Sequence, residues 1–391
     1  MFSRILKRFI HSLVLLLMIF NSCNNKKNVD EFYYPADFDP VESTCFIWTE
    51  EYFEIIPKLA GIISSKDKVT VYYTGNQSNE TKIIETLKKY NARIENINLI
   101  EIKNQPKSNW IRDFGPVYMV NEKGDNKIVD FGYFGKRLDF NSEIASKTKT
   151  QIIQSSINSS GGARETNGDG ILIVCETHEL DVNKPKTKNE IETEYKEKLS
   201  VQNIIWMKRG LPQDDSRLNG PLFDNIYPNG VNGHIDQFCR FANKDLILIS
   251  SVTEKEAKMH PILAEAKKRL DDNFQILENF ADRNDKKLKI VKVPFAPVYF
   301  MERTNGKNTI LVTPVTSYMN FIITNSYIIL PTYISENQND PDLLVKENEV
   351  EKIFREAFPT RELIKVPAAD LNSYSGGFHC ISINQPLISG I

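Results

Sequence analysis

From about Asp30 onward, short apolar runs alternate along the chain with amphipathic stretches of helical period. That alternation belongs to repeated strand and helix units packed in layers, and it predicts an α/β fold. Val69 to Tyr73 reads as a strand, and Glu80 to Tyr90 as a helix that buries Ile83, Ile84 and Leu87 along one face. Ile100 and Ile102 begin another extended stretch. Leu246 to Val252 predicts a buried strand, and Thr253 with Glu256 forms the capping-box pattern that opens the next helix. Ile328 to Leu330 followed by Val350 to Phe358 repeats the strand-then-helix theme. The most charged segment, Asn183 to Lys198, is expected to be a surface excursion with one solvated helix. No linker rich in Gly, Ser or Pro divides the body and no repeat of fixed period is visible, so residues 32–391 are expected to form one domain.

The first residues follow a different pattern. Arg4, Lys7 and Arg8 precede an apolar run from Leu13 to Phe20, then Asn21, Ser22 and Cys23, the order of an export signal over residues 1–23. The run is too short to cross a bilayer, for which about 20 apolar residues are needed. Cys23 after a small residue resembles the lipidated cysteine of a bacterial lipoprotein, with plain secretion or an uncleaved anchor as alternatives. Residues 24–31 are polar and suit a tether. The expected location is therefore exported, with any membrane contact made only through that N-terminal lipid or signal.

Composition narrows the partners. Apolar residues make up 41% and charged residues 26% of the 391, enough for a substantial core, and the formal net charge of −2 gives no basic field for nucleic acid. A small-molecule or peptide substrate fits better. Of the five cysteines, Cys45, Cys175, Cys239 and Cys380 lie in the body, where export leaves open two disulfides.

Three segments set chemically capable groups beside Gly or Pro, where the backbone turns and a ligand can approach closely. The first runs from Asn109 to Pro116 and leaves the carboxylate of Asp113 at a turn made by Gly115 and Pro116, placed to hold a cation. In the second, Asn232 to Cys239, polar and apolar residues alternate as on a half-buried strand, so His234 and Asp236 are expected on one face. A carboxylate beside a histidine orients it and raises its pKa. The third, Tyr374 to Ile383, carries Gly376 and Gly377 into a strand expected to start near Cys380, whose thiol would be accessible as a nucleophile. His379 and Cys380 would then face opposite sides, which makes His234 the expected partner of the thiol. Zinc held by Cys380, His234 and Asp236 is the alternative, although no Cys-x-x-Cys or His-x-x-x-His spacing supports it.

Taken together, Trp-x-Arg-Asp-x-Gly-Pro at Trp110 to Pro116, Gly-His-x-Asp at Gly233 to Asp236 and Gly-Gly-x-His-Cys-Ile at Gly376 to Ile381 resemble the agmatine deiminase and Porphyromonas-type peptidyl-arginine deiminase family. Tyr318 to Phe321 and Ile328 to Pro331 extend the likeness over nearly the whole chain after Phe32. The resemblance implies the pentein fold, a propeller of five ββαβ modules around a pseudo-fivefold axis with the site in the central channel. It also implies Cys380 as nucleophile, His234 as acid and base, and Asp113 and Asp236 as clamps on a guanidinium. Trp110, Arg112, Asn320, Arg137 and Gly377 would complete the substrate-binding set. No metal or organic cofactor is implied. The substrate would be a small guanidino compound or an arginine-containing peptide.

The chain departs from the family where the substrate's far end is recognised. Ser160 stands before Gly161 and Gly162 where agmatine deiminases carry a glutamate, and of the two arginines after Asp130 and Phe131 in the peptidyl-arginine enzymes only Arg137 has a match. Amidino transfer to an amine and non-catalytic guanidine binding remain as alternative functions.

Overall fold

The computed structural model describes residues 30–49, 54–75, 79–103, 108–216, 219–282, 285–305, 308–334 and 340–387. The expected export signal, Cys23 and most of the tether lie outside them. Strands and helices alternate through the described chain, and the fold is α/β.

Five sheets share one pairing pattern, a short strand antiparallel to a second that is parallel to a third. In the first module Val117–Val120 runs against Asn126–Gly132, which lies parallel to Gln151–Asn158. The second uses Arg164–Thr166, Ile171–Cys175 and Asn203–Met207, and the third uses Cys239–Phe241, Leu246–Ser251 and Lys289–Pro294. The fourth uses Ile322–Ile323, Tyr327–Thr332 and Glu362–Pro367. The fifth takes its short strand, Ile383–Pro386, from the end of the chain and pairs it with Val41–Ile47 near the beginning, followed by Val69–Tyr73 and Ile97–Glu101. Each parallel step needs a crossover, and helices supply it, such as Asp139–Thr148 in the first module and Pro341–Ala357 in the fourth. The buried strands are near-continuous apolar runs, as expected where both faces are covered.

The core is shared between neighbouring modules. Ile128, Phe140 and Ile144 of the first pack with Cys45, Ile47 and Tyr72 of the fifth. Val129 and Phe131 of the first pack with Leu172, Val174 and Tyr195 of the second. Cys175 and Met207 of the second meet Phe241 and Ile249 of the third, and Leu248 and Val293 of the third join Ile329, Phe354 and Val71 of the fourth and fifth.

Several sequence readings hold: the strand Val69–Tyr73, the helix Glu80–Lys89 with Ile83 and Leu87 buried, and the capping box of Thr253 and Glu256. Others need correction. The charged helix Lys188–Leu199 is not simply solvated, since Ile191, Tyr195 and Leu199 are buried and the Tyr195 ring lies 5.9 Å from that of Phe131. Residues 235–237 form a 3₁₀ turn, not a strand, and Cys380 lies in a turn ahead of the strand Ile383–Pro386. Cys45, Cys175, Cys239 and Cys380 are buried free thiols, so the disulfides left open by sequence are not formed among the described residues.

A sixth sheet departs from the pattern: Ile226–Pro228 pairs parallel to Asn308–Thr313, which pairs with Met301–Asn305. The Asn229 side chain and the Arg303 guanidinium both donate to the carbonyl of Ser373, at 3.4 and 2.7 Å, which ties this sheet to the loop before Gly376.

Candidate active site

Each module contributes to the site from the same place, the tight turn that leads into its short first strand. Asp113 lies in the turn Ile111–Phe114 before the first module, and Gly162 in the 3₁₀ turn Gly161–Ala163 before the second. His234 and Asp236 precede the third, Asn320 the fourth and Cys380 the fifth. All four expected catalytic groups are buried, with Asp236 at 0%, His234 at 1%, Cys380 at 4% and Asp113 at 8% exposure.

The thiol is surrounded by polar groups. Cys380 Sγ lies 3.7 Å from Asp236 Oδ2, 3.3 Å from Asn320 Nδ2 and 3.6 Å from Gln237 Nε2. His234 Nδ1 lies 3.7 Å from Asp113 Oδ1. Gly162 closes the space between them: a Cβ there would lie 2.7 Å from His234 Nδ1 and 2.9 Å from Asp236 Oδ2, closer than real contacts allow. Four atoms at this centre, Asp113 Oδ1, Asp236 Oδ1 and both ring nitrogens of His234, have no hydrogen-bond partner within the described chain. Buried polar atoms are rarely left so, and their convergence marks where a ligand with several donors would bind.

The carboxylates set the protonation order. Burial, then the charges of Asp236 and Asp214, push the Asp113 carboxyl well above its usual range. Burial acts in the same sense on Asp236, but the hydrogen bond and charge of His379, with His234 and Arg240, override it and hold that carboxyl low. Burial and the charges of Asp236 and Asp113 push the Cys380 thiol up, opposed by the Gly377 amide and the Asn320 side chain. Burial lowers His234 to about 4. At neutral pH the resting site therefore holds its proton on sulfur and keeps the imidazole neutral.

The supporting groups lie one layer out. The carboxylate of Asp214 accepts from the amides of Val231, Gly233 and His234 at 2.9, 2.8 and 2.6 Å, fixing the turn that presents His234. The His178 ring stands edge-on to that of His234 at 4.9 Å. His379 points away from the thiol but sits between two carboxylates, with Nδ1 2.7 Å from Asp236 and Nε2 2.6 Å from Asp37. Asp37 also receives Arg112 at 3.3 Å and the fully buried Arg240 at 2.8 Å. Sequence reading missed Gly162, Asp214, His178, Asp37 and the role of His379. Only the Gly161-Gly162 pair carried a local signal, since the others depend on contacts distant in sequence.

The expected substrate-binding residues divide. Trp110 is half-buried, and its ring packs so closely on Gly376 that a Cβ there would lie 2.4 Å away. Asn320 spans the thiol and the backbone amide of His379, its Oδ1 accepting from that amide at 2.9 Å, and Gly377 packs against it. Arg112 is tied into the surrounding chain: its Nε donates to the Ser382 carbonyl at 2.9 Å and a terminal nitrogen to Asp37 at 3.3 Å. Arg137, part-exposed, donates through its two terminal nitrogens to Asp130 and to the Ser155 carbonyl within its own module. The carboxylate-binding fork expected of Arg137 is occupied by the protein itself. Among the described residues no set of three His, Cys, Asp or Glu side chains is arranged to hold a metal.

Comparison with known proteins places this arrangement. A family model described as Porphyromonas-type peptidyl-arginine deiminase matches residues 33–386. An agmatine deiminase of Pseudomonas aeruginosa is 25% identical over 395 residues, spanning 91% of this chain and 96% of its own. Among solved structures, the agmatine deiminase of Enterococcus faecalis superposes with a TM-score of 0.70 at 20% identity, covering 92% of this chain and 96% of that one. A C. jejuni agmatine deiminase with substrate bound gives 0.66 at 20% identity, covering 92% and 97%.

Two outcomes follow from this geometry. Gly162→Ala should fold yet lose about 100-fold in turnover, because displacing His234 and Asp236 by a fraction of an ångström spoils their alignment; steady-state kinetics beside circular dichroism checks it. Arg137→Ala should affect substrates with and without a terminal carboxylate equally, mainly through stability, as paired kinetic and melting measurements would reveal.

Proposed function

The chain belongs to the Porphyromonas-type peptidyl-arginine deiminase family, and from that premise we propose that it hydrolyses a guanidinium group to a ureido product and ammonia. The observation that carries this reading is the pair of unpartnered carboxylate oxygens, Asp113 Oδ1 and Asp236 Oδ1, buried beside a thiol and a neutral imidazole. A planar cation with several N–H donors satisfies both oxygens, and fork-like pairing with carboxylates is what a guanidinium does best.

Binding such a cation changes the protonation order. The two carboxylates that keep Cys380 protonated become paired, so the thiol loses its proton to His234 as the substrate arrives. The thiolate attacks the guanidinium carbon to give a tetrahedral adduct. His234 returns that proton to the departing nitrogen, the C–N bond breaks and ammonia leaves. The remaining S-alkylthiouronium is attacked by water whose proton His234 accepts, and C–S cleavage yields the ureido product and regenerates the thiol. The Asn320 amide and the Gly377 N–H, which favour the anionic sulfur, assist attack and departure alike.

The far end of the substrate meets neither of the recognisers expected by resemblance, since Ser160 replaces an acid and Arg137 is occupied. We therefore hold agmatine and peptidyl-arginine as candidates of equal standing. We read the five repeated modules and their shared cores as blades of a pentein propeller with the turns at its centre. We further propose residues 1–23 as an export signal, lipidated at Cys23, ahead of a single catalytic domain over 32–391.

The purified protein, offered agmatine, free arginine and a peptide ending in arginine, should release ammonia from at least one, and Cys380→Ala should release none. Turnover persisting in Cys380→Ala, or silence with all three, would overturn the assignment. Asp236→Asn should lose turnover while its Cys380 is alkylated faster by iodoacetamide near pH 8, by about tenfold, because removing the neighbouring negative charge of the carboxyl held low lowers the thiol pKa by about one unit. Unchanged alkylation would show that the Asp236 charge does not act on the sulfur.

A further inference from the structure

Every group so far assigned to the reaction faces the substrate, but Asp236 also has a second partner behind it. Its Oδ2 lies 2.7 Å from His379 Nδ1, and the other ring nitrogen of His379 lies 2.6 Å from Asp37 Oδ2. His379 is 2% exposed, and the array reaches no bulk water on the Asp236 side, where exposure is 0%. Each of these short gaps must contain a proton, because a ring lone pair facing a carboxylate oxygen at such a distance is repulsive. The surrounding charges close the account. Asp37, Asp236 and Glu165 supply three carboxylates, while Arg112 and Arg240 supply two guanidiniums on Asp37 and Glu165. With Glu165 counted as ionised, although burial raises that carboxyl to about 7, a doubly protonated His379 brings the buried group to neutrality.

We propose that His379 is a cationic bridge, a positioning residue that keeps Asp236 ionised and turns its Oδ1 toward the substrate. This rests on the deiminase reading of the site and extends it to the layer behind. The geometry explains why Asp236, though more deeply buried than Asp113, is the carboxyl held low. Burial, then the flanking Arg112 and Arg240, hold the His379 imidazole below its ordinary proton affinity against Asp37 and Asp236; what favours the charged form is the geometry, a carboxylate oxygen within 2.7 Å of each ring nitrogen. His234, whose own proton affinity His379 depresses, faces the same array from the substrate side. The bridge also links the catalytic turn to Asp37 in the segment ahead of the strand Val41–Ile47, so segments far apart in the sequence meet at this carboxylate.

Two measurements separate this proposal from a merely structural role. His379→Asn keeps one N–H donor for Asp236 but removes the charge. It should fold, and the acid limb of its kcat/KM profile should move up by about one pH unit or more, since Asp236 and His234 both gain proton affinity. Asp37→Asn, at the more exposed end of the array, should move the limb in the same direction and serves if His379→Asn does not fold. An acid limb at the wild-type position in these variants overturns the proposal. The second measurement needs no turnover: ¹⁵N spectra of histidine-labelled full-length Cys380→Ala protein, with His379 identified by its loss on His379→Asn. Both of its ring nitrogens should be protonated at neutral pH. One unprotonated ring nitrogen would refute the bridge, whereas absence of any guanidine turnover with both nitrogens protonated would refute only the deiminase reading.

Discussion

Asp113 and Asp236 are excluded from water beside a thiol, and most of the remaining arrangement follows from what that burial costs. A carboxylate without solvent takes up a proton or finds a cation, and in this protein the two are treated differently. Asp236 has His379 behind it and stays ionised, while Asp113 is pushed well up and has no such partner. A cationic substrate supplies what both lack. The same negative charge holds the Cys380 proton in place until that cation arrives, so substrate binding and activation of the nucleophile become one event. A thiol guarded in this way reacts little with anything that is not a cation of the right shape.

The architecture explains how groups from Asp113 to Cys380 come within contact distance. Each of the five sheets begins with a short strand, and the turn before that strand is where the functional side chain sits. Tight turns bring the backbone close, which is why Gly162 and Gly377 are packed against His234 and Asp236 or against Asn320. Rigidity comes from the shared apolar clusters, since no module buries its core alone. The last described strand, Ile383–Pro386, follows closely after Cys380 and completes the sheet begun by Val41–Ile47.

Much of this was legible in the residues. Alternating apolar runs gave the α/β class, and strands such as Val69–Tyr73 and the capping box at Thr253 fell where local rules put them. The three motifs located Asp113, His234, Asp236 and Cys380. The fivefold repeat was not legible, because it lives in strand pairing and not in residue identity: the helices and loops between equivalent strands differ in length. The strand reading of His234 and Asp236 failed because apolar alternation over a few residues cannot distinguish a strand from a 3₁₀ turn. Arg112 and Arg137 were expected among the substrate-binding residues, and their acceptors Asp37, Ser382 and Ser155 could not be read locally because other segments contribute them. Local chemistry marks what a residue can do, while the fold decides whether that capacity is already spoken for.

The central claim is that Cys380 carries the substrate's guanidinium carbon through the reaction. Rapid acid quenching of the enzyme during turnover, followed by intact-mass analysis and peptide mapping, tests it most directly. The account predicts an adduct equal to the substrate less ammonia, located on Cys380 and decaying as ureido product forms. Turnover with no adduct at Cys380, or with an adduct on another residue, would contradict it.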